Sequence, residues 1–214
     1  KGKKYTPKSY ANSLGLNMDD YVMLSSFAHH PFYQSFILEV PDNWAWGEVY
    51  NIKLEELTQV IDNSIDKGYT VAWATDMSEK GFQYSKGLAV VPADDIEELN
   101  DLEKSKWAEF SEKEKLAFMY DFSSIKSEKK ITQELTQEAF DNYQTTDDHG
   151  MHIIGTAKDQ NGTDYYKVKN SWGTEGLANG GFQYISVPYF RYKTVCMIVH
   201  KDALPKEIAA KLGM

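Results

Sequence analysis

Two stretches of the chain carry hydrophobic patterns of different period. Leu54, Leu57, Ile61 and Ile65 recur at three- and four-residue steps, which predicts an amphipathic helix ended by Gly68. On either side, residues 49–52 and 69–74 are rich in β-branched and aromatic side chains and read as strands. In the last third, residues 149–157 and 164–169 read as two strands. They flank Asp159-Gln160-Asn161-Gly162, whose Asn-Gly pair is a strong hairpin signal. Residues 181–187 and 194–200 add strands, and 205–212 form a short closing helix with proline at its start.

The middle of the chain is helical in pattern. Ser111 and Glu114 make a capping box ahead of Leu116, Phe118 and Met119, and residues 132–143 keep helical period through Leu135 and Phe140. Residues 1–47 show no period. With Pro7, Pro31, Pro41 and the pair Trp44 and Trp46, they read as an irregular segment that wraps over another surface. The expected architecture is an α+β fold. Residues 48–214 would form a β domain, an antiparallel half-barrel with flanking helices and a helical insertion around 94–145.

Composition narrows the partners. The 214 residues are 42% hydrophobic and 14% aromatic, enough for a substantial core. A net charge of −9 repels phosphate. The basic clusters, residues 1–4 and 126–130, read as solvated surface, so no nucleic-acid partner is expected. No window has the roughly 18 to 20 consecutive apolar residues of a membrane span, so no membrane partner is expected either. A single cysteine, Cys196, excludes an internal disulfide and any multi-cysteine zinc site. The abrupt start at Lys1 reads as a cut edge.

Candidate chemistry sits at the hairpin. Because the turn lies between its strands, His149 at the start of the first and Asn170 just past the second meet at the open end of the ladder. An amide oxygen beside a histidine takes one ring N–H, fixes the tautomer, and leaves the other nitrogen free as a base. Trp172, two residues on, is placed to cover that bond. From these two positions alone, a turn histidine and a strand-end asparagine are the more ordinary reading.

The wording around them settles the direction. "DDHGMHIIG" (147–155) followed by "YYKVKNSWG" (165–173) resembles the His and Asn segments of papain-superfamily cysteine peptidases. Residues 42–82, 131–155 and 188–214 are similar to the bleomycin hydrolase and aminopeptidase C branch. The resemblance implies a papain-like fold, a peptide substrate, and aminopeptidase chemistry by Cys, His and Asn, with His149 and Asn170 as two of the three. It also implies hexameric rings, hence a homo-oligomer, favours a cytoplasmic location, and requires no cofactor. The tail of that branch runs into the cleft, which would put the carboxylate of Met214 against the substrate's α-amino group. By chain position alone, Met214 is an ordinary frayed terminus.

The third member of the triad is not where the family has it. In compact papain-like enzymes the nucleophile precedes the His by about 130 to 150 residues, and no cysteine precedes His149. Cys196 lies in the apolar, β-branched run Thr194-Val195-Cys196-Met197-Ile198-Val199 and reads as a buried, inert thiol. The chain is therefore expected to be the His/Asn half of such an enzyme, inactive without an N-terminal nucleophile half. The alternative is a non-catalytic oligomerisation or peptide-binding module derived from the family.

Three other features complete the reading. Asp147, Asp148, His149 and His152 form a cluster, but 149 and 152 fall on opposite faces of a strand and no metal site is expected there. His29 and His30 read as loop or interface residues. Asp76, after a strand, reads as the cap of the next turn, and the tryptophans Trp44, Trp46, Trp73 and Trp107 as mostly core.

Overall fold

The computed structural model describes residues 2–214. In chain order its elements are α1 (Pro7–Ser13), β1 (Tyr21–Ser25), β2 (Ser35–Ile37), β3 (Glu48–Asn51), α2 (Leu54–Asp66), β4 (Val71–Thr75), β5 (Phe82–Gln83), β6 (Leu88–Ala89), α3 (Asp101–Trp107), α4 (Glu112–Met119), α5 (Gln133–Asp141), β7 (His149–Lys158), β8 (Asp164–Lys169), β9 (Phe182–Ser186), α6 (Val187–Lys193), β10 (Thr194–His200) and α7 (Lys206–Lys211). The strands form one sheet in the order β2-β3-β1-β10-β4-β7-β8-β9-β6-β5.

The α2 pattern does what its period requires. Leu54, Leu57, Val60 and Ile61 are all buried against the sheet, and Gly68 closes the helix at a left-handed φ of 81°. Full burial of each such side chain stabilises by about 1.5–3 kcal/mol. Glu56 turns back to accept from the Lys53 backbone N–H at 3.0 Å, which starts the helix. The Ser111–Glu114 capping box is also present and opens α4.

Two parts of the architecture differ from the expectation. Residues 1–47 are not wholly irregular. Tyr21–Ser25 is an inner strand, paired antiparallel to β10 (Tyr21↔His200) and parallel to β3 (Ser25↔Asn51), and Ser35–Ile37 is an edge strand on β3. Nor is the sheet purely antiparallel, because β1 with β3 and β6 with β9 run parallel. β1 buries Val22 and Leu24 with Met197 and Val199 of β10, β3 buries Val49 with Val195 and Cys196, and non-local pairing of that kind leaves no trace in a local pattern.

The sheet has two apolar layers. Trp73, Met151, Ile153, Met197 and Val199 join α2 and α6 in the larger cluster, and Val195, Cys196, Phe27, Phe36 and Val49 form the smaller one. Trp73 is core as expected. Trp44 and Trp46, in contrast, are 84% and 73% exposed, on a loop whose Asn43 side chain bonds Leu38 and Gly47.

Candidate active site

The Asn161-Gly162 hairpin forms as its sequence predicts, with Gly162 at φ 85° and Asp159 Oδ1 accepting from the backbone of Asn161 and Thr163. Register then fixes the open end. His152 pairs with Lys169 across the hairpin, and His149 pairs with Thr75 of β4 on the other side.

At that end His149 Nε2 lies 2.9 Å from Asn170 Oδ1. The same Oδ1 accepts the Ser171 backbone N–H at 2.7 Å, so the amide is turned with its oxygen toward the ring. An oxygen only accepts, so Nε2 carries the proton. Nδ1 is thereby the nitrogen left for chemistry. Asn170 is buried, and its Nδ2 has no partner among the described residues. An orphaned buried amide costs on the order of 1–3 kcal/mol, and such costs concentrate at functional sites.

Trp172 stands beside the pair, its ring 4.7 Å from that of His149, and Tyr84 meets it edge-on at 4.6 Å. The Ser-Trp-Gly turn needs its glycine, since Gly173 sits at φ 89°. A Cβ on Gly181 would fall 2.3 Å from the Gly173 carbonyl, so the turn can press flat against the start of β9.

A clamp that the sequence reading missed holds His149 from below. Asp148 accepts from Met77 N at 2.9 Å, Ser78 N at 3.2 Å and Ser78 Oγ at 2.6 Å. Asp76 answers in the other direction, accepting from Ser78 N at 2.8 Å and Thr146 N at 3.0 Å. Asp76 does cap its turn, and it also ties the 146–148 approach to β4. A motif search finds neither bond, because the partners lie about seventy residues apart. Beside the clamp opens a polar cavity of about 550 Å³, bordered by Glu79, Tyr143 and the buried Lys193. Lys193 is fully engaged with Glu79, Asp76 and the Gln144 carbonyl, so it offers no free cation.

Electrostatically the approach is acidic. Burial, then the charges of Asp42 and Asp148, push the Asp147 carboxyl up to about 6. His152, on the other face, bonds Thr70 Oγ1 at 2.6 Å, and burial with the nearby Lys169 lowers its pKa. The odd spacing of the two histidines therefore separates them as expected.

Cys196 is held apart from this corner. It pairs with Ala74, which pairs with Gly150, so the thiol lies on the Gly150 face of the sheet and not on the His149 and Met151 face. It is 8% exposed, and burial together with the Asp147 charge pushes its pKa up to about 12. Met214 closes the chain after α7. Its backbone N–H bonds Ala209, and α7 is anchored to α2 through Lys211 and Glu56 at 2.6 Å.

Fold and site together define a papain-like α+β protein, and the chain belongs to the Peptidase C1-like family, whose pattern it matches over residues 1–214. Among curated relatives it is similar to aminopeptidase G of Lactobacillus delbrueckii subsp. lactis, 24% identical over 209 residues, covering 96% of this chain and 41% of that protein. Its fold is similar to the crystal structure of PepW from Lactobacillus rhamnosis, with a TM-score of 0.66, 18% identity, and coverage of 99% of this chain and 42% of that one. The chain thus spans about two fifths of the length of the relatives it matches.

Proposed function

We propose that the chain supplies the base and its orienter to a cysteine aminopeptidase of the bleomycin hydrolase and aminopeptidase C type, with the nucleophile coming from outside these 214 residues. The observation that carries this is the 2.9 Å bond from His149 Nε2 to an Asn170 oxygen already fixed by Ser171. The name of the aminopeptidase relative supports exopeptidase action on peptide N-termini.

In this reading Nδ1 of His149 takes the proton of an incoming thiol, giving a thiolate and an imidazolium. The thiolate attacks the scissile carbonyl, and the imidazolium returns its proton to the departing amine, leaving an acyl-enzyme. Water, deprotonated by the same Nδ1, then releases the acid. Asn170 keeps the ring in plane for both transfers and stabilises its positive form. Trp172 shields the Asn170 bond from competing water, which strengthens it. The Met214 carboxylate would pair with the substrate's α-amino group and restrict cleavage to the N-terminus. The other partners in this reading are the nucleophile half and further copies of the parent in a ring.

The test is made in a nucleophile-bearing parent. Deleting residues 212–214 there converts amino- to endopeptidase activity, and unchanged specificity removes the tail from the mechanism. A second reading, an association module without catalysis, draws on the exposed Trp44 and Trp46. Sedimentation separates the two, since a strict monomer speaks against the module.

A further inference from the structure

At the β2 edge of the sheet, away from His149, three metal-binding side chains converge. The Nε2 atoms of His29 and His30 lie 3.9 and 3.8 Å from Glu39 Oε2, and all three atoms fall within 4.8 Å of one another. A tetrahedral zinc ion at ordinary bond lengths sets its ligands roughly 3.3 Å apart. The two sides that meet Glu39 exceed this by about half an ångström, within the reach of the exposed Glu39 side chain, and the side between the two imidazoles is at most 4.8 Å.

The two rings are held before any ion arrives. The His30 ring stacks on Phe36 at 4.3 Å, and the His29 ring lies parallel to Phe140 at 5.8 Å. Their backbone is fixed by Asn51, fully buried, whose amide bonds the carbonyls of Phe27 and His30 at 2.8 and 2.9 Å and accepts from Phe27 N at 2.9 Å. His30 Nε2 is buried with no hydrogen-bond partner, aimed at Glu39. A buried imidazole nitrogen left unmatched, beside a second imidazole and a carboxylate, is what an imidazole-preferring divalent ion satisfies.

We infer that His29, His30 and Glu39 form a binding site for a divalent transition ion of the zinc class, separate from the peptidase chemistry. The ion would tie the 27–31 loop to the chain beyond β2 and close that edge. One local adjustment accompanies it. Gln137 Nε2 lies 2.9 Å from His29 Nδ1 while its Oε1 accepts the Ala28 N–H, so His29 carries its proton on Nε2. Binding through Nε2 moves that proton to Nδ1, and the Gln137 amide turns its oxygen to receive it, giving up its present bonds with Ala28 N and Asp141 Oδ1.

The experiment is titration of Zn²⁺ into the tag-free, metal-stripped 214-residue chain at pH 7.5, followed by calorimetry and by equilibrium dialysis. One equivalent should bind. Binding should vanish in His30→Ala and weaken at least tenfold in Glu39→Gln, whose exposed site does not threaten folding, while His149→Ala leaves it unchanged. Because the chain has only five histidines and one cysteine, the competing donors are few. No bound zinc, binding that survives His30→Ala or Glu39→Gln undiminished, or binding lost in His149→Ala would overturn the assignment.

Discussion

His149 and Cys196 lie on strands separated only by β4, yet they occupy opposite chemical situations. The histidine stands at a sheet end, part-buried, its ring turned by Asn170 and flanked by Trp172. The thiol faces the other side of the sheet among Val195, Phe27 and Ala74, where no ring nitrogen of His149 can reach it. A base needs a fixed tautomer and an open nitrogen, whereas an inert thiol needs only apolar neighbours. Residue type alone would pair them, but the one-residue alternation of the sheet keeps them apart.

The largest test of that contrast is mutational, in a parent carrying its nucleophile. His149→Ala should lower kcat/KM by roughly 10²–10⁴-fold, the range of general acid and base catalysis. Cys196→Ala should leave it within about twofold, costing only about 1 kcal/mol of packing in chemical denaturation. Equal losses from the two substitutions would dissolve the distinction. Asn170→Ala removes one hydrogen bond to a group that charges during the reaction, worth about 1.5–3 kcal/mol, so the same assay should fall roughly 10- to 100-fold.

Smaller effects sharpen the geometry. Asp148→Ala removes the three bonds that hold the approach to His149 against Met77 and Ser78. It should cost about 1–2 kcal/mol in urea unfolding of the chain itself. Asp147 acts in the reverse sense. Its folded pKa of about 6 lies above the ordinary 3.8, so the folded state holds the proton longer than the unfolded one. Stability from this group is thus full below about pH 4 and falls as pH rises to 6. After allowance for its partial exposure, Asp147→Asn should stabilise the chain by about 1–2 kcal/mol at pH 7.5 and by nothing at pH 3.5. A gain at acid pH would reverse the assigned direction.

Local sequence carried the parts whose causes are local. The α2 stripe, the Ser111 cap and the Asn161-Gly162 hairpin were each legible, and the hairpin alone was enough to bring His149 to Asn170. Strands β1 and β2 were not, because Tyr21 finds its partner His200 only after the whole chain has folded. Helix α6 fell in the stretch left unassigned between the strands read at 181–187 and 194–200, although Ser186 as N-cap with Pro188 just after it was a usable signal. The Asp76 and Asp148 clamp was invisible for the same reason as β1. Exposure of Trp44 and Trp46 ran against composition, which assigns aromatic residues to cores by default.

The most direct test of the account is hydrolysis of an aminoacyl fluorogenic substrate by the purified 214-residue chain, before and after thiol alkylation. A base without a nucleophile gives no turnover above buffer in either case. Turnover that alkylation abolishes would mean that Cys196, buried on the far face of the sheet, is a nucleophile after all.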